Sequence, residues 1–156
     1  MGFIGVVYRK INQATIFLIV VFMTLMVINI SLGVFFRYVL NNSLSWTEEL
    51  ARYFMIWVGF LGMSLALKED LHVSVLFFIN KLPPKMRRIV VFIDDFVVMC
   101  FSVIVFIFSI KHMMVVKIQI SPAVGIPMYL PYSAVTIGTF LMTLQAIRHL
   151  FTRKMN

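Results

Sequence analysis

Of 156 residues, 62% are hydrophobic and only 13% charged, against roughly 45–50% and about 25% in a soluble domain. Sixteen Phe, twelve Met and a mean hydropathy of +0.99 exceed what a core of this size can hide from water, which excludes a soluble globular fold. The net charge of +8 sits in short clusters between apolar runs, the pattern of membrane flanks and not the basic stripe of a nucleic-acid binder.

The first predicted span runs over 14–36 and carries no charge. At about 1.5 Å per residue it crosses a hydrocarbon core of roughly 30 Å with some tilt. It exceeds the ~7–15-residue core of a signal peptide and has no small-residue cleavage site before Arg37, so a retained helix is expected.

The second span covers 45–67. Ser45 and Glu48 have the S-x-x-E spacing of a capping box, and Glu48 and Glu49 suit the positive end of a helix dipole. Trp46 stands where an interfacial aromatic anchor belongs. Gly59, Gly62 and Ala66 would permit close backbone approach, expected to serve packing within the chain. The stretch His72–Lys81 that follows is too short to cross, and an interfacial helix is expected there.

The third span, 88–116, comes after Leu82-Pro83-Pro84 and has Lys85, Arg87 and Arg88 in its first turns, suited to anionic lipid headgroups. Asp94 and Asp95 lie one or two turns in, either at the headgroups or pairing with Lys68 or with Arg9 and Lys10. Cys100, the single cysteine, sits inside the apolar run as a packing residue, and no intrachain disulfide can form. Pro122, Pro127 and Pro131 make the next connection irregular, so it must sit in water or against protein. The fourth span, 130–147, accepts Pro131 in its first turn and stops at Arg148. The expected fold is all-α: an integral membrane four-helix bundle forming one domain over 1–156, with a short interfacial helix between the second and third spans.

Orientation follows from Lys and Arg. Ten lie at the two termini and the second connection, and four (Arg37, Arg52, Lys111, Lys117) at the first and third connections. The ten-residue side is expected in the cytoplasm, with both termini.

The middles of the spans offer only Thr24, Ser64, Ser102, Thr136 and Thr139, hydroxyls that serve helix packing more often than substrate binding. With no internal repeat and no mid-span charge, the pattern argues against an independent transporter. His72, His112 and His149 fall near helix ends, with no pair along one span, which argues against haem. Nucleotide loops, nucleophile elbows and zinc spacings are missing. No cofactor, metal site or enzymatic activity is expected.

Polar character concentrates at one place. Asn29, Gly33 and Arg37, spaced i, i+4 and i+8, share a face of the first helix, and Arg37 is close in sequence to Trp46, Glu48, Glu49 and Arg52. Glu48 and Arg52 are an i,i+4 pair in the favourable order. The cluster is either a solvated interface closing the first hairpin or a partly buried network that fixes the hairpin against another protein.

These residues resemble a known family. Phe36-Arg37-Tyr38 and the block Ser43-Leu44-Ser45-Trp46-Thr47-Glu48-Glu49-Leu50-Ala51-Arg52-Tyr53 are similar to the signature of the small permease subunit of TRAP (tripartite ATP-independent periplasmic) transporters. Trp57, Phe60-Leu61-Gly62, His72-Val73, Leu82-Pro83 and Gly125-Ile126-Pro127-Met128-Tyr129 extend the match along nearly the whole chain. Leu76 departs from it, since the family often has Asp there. The resemblance implies a bacterial inner-membrane subunit that scaffolds a large permease subunit holding substrate and sodium sites. It also implies a periplasmic binding protein that delivers an organic acid. A small bundle rich in Phe and Met cannot match a curved partner everywhere, so with Lys85, Arg87 and Arg88 phospholipid is expected at the joint between subunits. A four-helix membrane anchor of a redox complex, carrying haem or quinone, is the alternative that the residues leave open.

Overall fold

The structure is a computed structural model describing residues 3–68 and 83–154; the expected interfacial helix at His72–Lys81 lies outside them. Among the described residues four helices follow in chain order: α1 Phe3–Tyr38, α2 Ser45–Lys68, α3 Pro84–Val116 and α4 Tyr129–Lys154. Each is long and apolar enough to cross a membrane. No β-strand is formed among the described residues, where the one extended pairing is an isolated bridge between Ile120 and Pro127.

α1 starts earlier than the 14–36 span, because nothing between Phe3 and Ala14 breaks a helix. Its 36 residues reach about 54 Å, well beyond a hydrocarbon core, so it tilts or projects. α3 opens on Pro84 at its first helical position, where the missing amide hydrogen costs little, and the Pro83 carbonyl accepts from the Arg87 amide at 3.0 Å.

The helices touch as neighbours in the order α1, α2, α4, α3. α1 runs antiparallel to α2, with Phe22 against Phe54 and Trp57 at ring-centroid separations of 5.9 and 5.3 Å. α2 and α4 run side by side in the same direction. Here α4 comes so close that a Cβ at Gly138 would stand 2.5 Å from Phe60 Cβ and 2.9 Å from the Phe60 carbonyl carbon and oxygen. α4 and α3 are antiparallel, tied by Thr143 Oγ1 donating to Ser102 Oγ at 3.2 Å and by Phe106 against Phe140.

The close approach is therefore at Gly138, and the expectation for Gly59 and Gly62 fails: a Cβ at either would meet nothing within 4 Å. Gly59 faces outward on α2, while its neighbour Phe60 takes the side against α4. The buried centre is small and partly polar: Leu61, Ser64, Ser102, Ala134 and Thr139 are all but fully enclosed. Thr24, Ser64, Ser102 and Thr139 each donate to a backbone carbonyl of the preceding turn, which satisfies these hydroxyls without water. Asp95 is buried against protein, so of the two placements expected for the acidic pair the headgroup one does not hold for it. The outer faces of α1 and α3 expose Phe17, Val27, Phe92, Phe101 and Phe108, surfaces suited to lipid or another membrane helix.

Candidate functional site

The candidate residues gather at the end of the molecule formed by the α1–α2 and α3–α4 loops, here the loop end. Asn29, Gly33 and Arg37 do share a face of α1, and that face meets the start of α2. Asn29 Nδ2 donates to the Thr47 carbonyl, and both residues are buried. One turn on, a Cβ at Gly33 would be 2.6 Å from Thr47 Oγ1, so any larger residue there would force the Thr47 side chain to shift. Thr47 Oγ1 donates to the Leu44 carbonyl at 2.7 Å, which fixes the side chain that α1 packs on.

Arg37 Nη2 forms an ion pair with Glu48 and reaches Ser43 Oγ at 3.4 Å. The side chains are 47% and 61% exposed on the chain by itself. It rims a shallow groove between α1 and α2 whose walls include Ile30, Val34, Tyr38 and Ala51. Ser45 is the first residue of α2, and the expected capping bonds between Ser45 and Glu48 are not formed, because the Glu48 carboxylate turns to Arg37. For the same reason Glu48 does not pair with Arg52, which is exposed. Trp46 is also exposed, in the first turn of α2.

Glu49 takes a different role from Glu48. Its Oε1 accepts from the Tyr53 hydroxyl, and its Oε2 accepts from the backbone amides of Ala123 and Val124 at 2.9 and 3.0 Å. The α3–α4 loop is thus tied to α2. The loop has its own ladder: Ser121 N to Ile126 O at 2.9 Å, Gly125 N to Ser121 O at 3.1 Å, and Met128 N to Gln119 O at 2.9 Å. Gly125 takes φ of +75°, a left-handed turn that disfavours any Cβ. The three prolines therefore do not leave the connection irregular throughout.

A second polar cluster lies at the opposite, terminal end and was not anticipated from the sequence. Tyr8 donates to Gln145 Oε1, Gln145 Nε2 donates to Asn12 Oδ1 at 3.0 Å, and the Arg148 guanidinium lies 3.7 Å over the Tyr8 ring. Asn12 and Gln145 are both buried. The available signal was Gln145, an amide inside the otherwise apolar end of the fourth span. Of the candidate lipid-contact residues, Lys85, Arg87 and Arg88 fall in the first turns of α3, and the Arg87 and Arg88 side chains are exposed.

Neither cluster presents an activated nucleophile. Among the described residues, no three His, Cys, Asp or Glu come together to hold a metal. What the geometry does is fix helices and a loop to one another. The family model of tripartite ATP-independent periplasmic transporters, DctQ component, matches residues 26–154. The chain belongs to this family. A DctQ component is part of a transporter, so the chain is a multi-pass membrane protein and not an enzyme. It is 35% identical over 142 residues to a Haemophilus influenzae protein named as a TRAP transporter small permease, covering 91% of this chain and 88% of that one. The ectoine TRAP transporter small permease protein TeaB of Halomonas elongata is 26% identical over 153 residues, 97% of this chain and 78% of the relative. The isethionate TRAP transporter permease protein DctMQ of Oleidesulfovibrio alaskensis is 28% identical over 110 residues. That match covers 67% of this chain but 17% of the relative.

The exposure of the Arg37–Glu48 pair makes a small-effect prediction for the chain by itself. An exposed ion pair contributes about 0–1 kcal/mol, whereas breaking a buried one costs roughly 3–5 kcal/mol. Equilibrium unfolding in mild detergent should place Arg37→Glu within the smaller range. Adding Glu48→Arg should recover the loss, and adding Glu49→Arg should not. A loss in the larger range would mean that the pair is desolvated in the folded protein.

Proposed function

We propose that this chain is the stationary small subunit of a TRAP-type secondary transporter for organic acids. It frames a larger permease subunit that carries the substrate and sodium sites and receives substrate from a soluble periplasmic binding protein. The observation that carries this reading is the DctMQ relative, where a segment similar to this chain is a minor part of a much longer permease. The relatives' names also differ in substrate, isethionate in one and ectoine in another, on a shared small-permease pattern. That suits a subunit on which substrate choice does not depend. The uncovered apolar faces of α1 and α3 offer surface to a membrane partner and to phospholipid, and Arg87 and Arg88, with Lys85 beside them, suit anionic headgroups.

Reconstitution tests the reading. In liposomes the chain by itself should give no sodium-driven uptake of an organic acid. Uptake should appear when the large subunit and the binding protein are supplied with it. Uptake by the single chain would refute the scaffold reading.

The ten-to-four distribution of Lys and Arg supports an orientation with both termini in the cytoplasm, and the proposed transporter belongs in a bacterial inner membrane. Reporter fusions after Lys154 should read cytoplasmic, and fusions at Asn42 or Val124 periplasmic. A periplasmic signal after Lys154 would reverse the orientation.

A further inference from the structure

α1 is the helix least enclosed by the rest of the chain. In lipid an apolar helix face gains little from leaving its surroundings, so packing and interhelical hydrogen bonds decide where a helix sits. Along its loop-end half α1 is seated on α2 through Phe22, Asn29 and Gly33. Toward the terminal end it also meets α4, through the contacts of Tyr8 and Asn12 with Gln145 and Arg148.

From this arrangement we infer that the Tyr8–Asn12–Gln145–Arg148 joint is a latch: it sets where the terminal half of α1 sits, and α1 swings about its seat on α2 when the joint opens. Three features support a latch over incidental polarity. The bonds form a directed chain, the Tyr8 hydroxyl to the Gln145 carbonyl and the Gln145 amide to the Asn12 carbonyl. Both amide side chains are buried, where an unmade bond is costly and position is therefore enforced. Asn12 Nδ2 is buried without an acceptor, and that unmet donor offsets part of what the joint's bonds contribute to holding it closed.

Spin labels at the exposed positions Val7 on α1 and Ile89 on α3, with Cys100→Ser, report the latch by pulsed dipolar spectroscopy on the full chain in lipid nanodiscs. The native joint should give one narrow distance distribution. Asn12→Leu with Gln145→Leu, which keeps bulk and removes the bonds, should abolish the single narrow peak and add a longer component. A second label pair, Met55 with Phe108 on α2 and α3, should stay unchanged and so certify the fold. If that control pair moves, Tyr8→Phe decides, since it removes one hydroxyl and retains the ring under Arg148. An unaltered Val7–Ile89 distribution in the variant that keeps the fold would overturn the inference, because apolar packing would then be holding α1.

Discussion

Adding a single methyl group at position 138 should unseat α4 from α2. A Cβ there would fall 2.5–2.9 Å from Phe60 Cβ, carbonyl carbon and carbonyl oxygen. Two of those atoms are backbone in mid-helix, so no rotamer change relieves the clash and the helices themselves must separate. Overpacking of this kind costs typically 1–3 kcal/mol, and the parallel α2–α4 contact is the centre of the row of helices. Gly138→Ala should therefore lower unfolding stability in detergent by about that amount, and Gly138→Leu by more. Gly59→Ala and Gly62→Ala are the matched controls, since a methyl group at either meets nothing within 4 Å. Equal tolerance of Ala at all three positions would mean that α2 and α4 do not pack in this way.

The second large effect is expected at Glu49. Its carboxylate is the acceptor for two consecutive loop amides and the Tyr53 hydroxyl, and bonds to a charged acceptor are roughly twice as strong as neutral ones. Glu49→Ala leaves the Ala123 amide without that partner, while Val124 N keeps Ser121 Oγ at 3.2 Å. In hydrogen–deuterium exchange the Ala123 amide should exchange on the order of tenfold faster or more, with a smaller change at Val124. Glu48→Ala, one residue away, should leave both amides as they were. Loop amides that keep their protection in Glu49→Ala would show that the internal ladder of the loop holds it without α2.

The two neighbouring glutamates show what sequence can and cannot supply. Four apolar runs, a proline-marked start for α3 and a shared Asn29–Gly33–Arg37 face were legible, because helical period and hydrophobicity are local properties. That Glu48 faces α1 and Glu49 faces the α3–α4 loop was not. The choice depends on which helices are neighbours, and a 100° step around α2 sends adjacent side chains to different partners. The glycines follow the same logic. Gly59 and Gly62 had the spacing of a packing face, but so did Ala134 and Gly138, and only the order α1, α2, α4, α3 decides between them. Asn12 escaped notice because it lies before the apolar run, where a polar residue ordinarily meets headgroups or water. Its burial comes from α1 continuing as a helix beyond that run and from Gln145 of α4 standing beside it.

The clasp between the beginning of α1 and the last turns of α4 has a consequence for how subunits are joined in one polypeptide. Because Tyr8 and Arg148 are in contact, the first turns of α1 and the last turns of α4 lie side by side at one end of the bundle. A second protein could be tethered through a linker to either end, and the tether would start from nearly the same place on the bundle. Fusing two permease genes in either order, or splitting a fused one, would then leave the geometry of the small subunit intact.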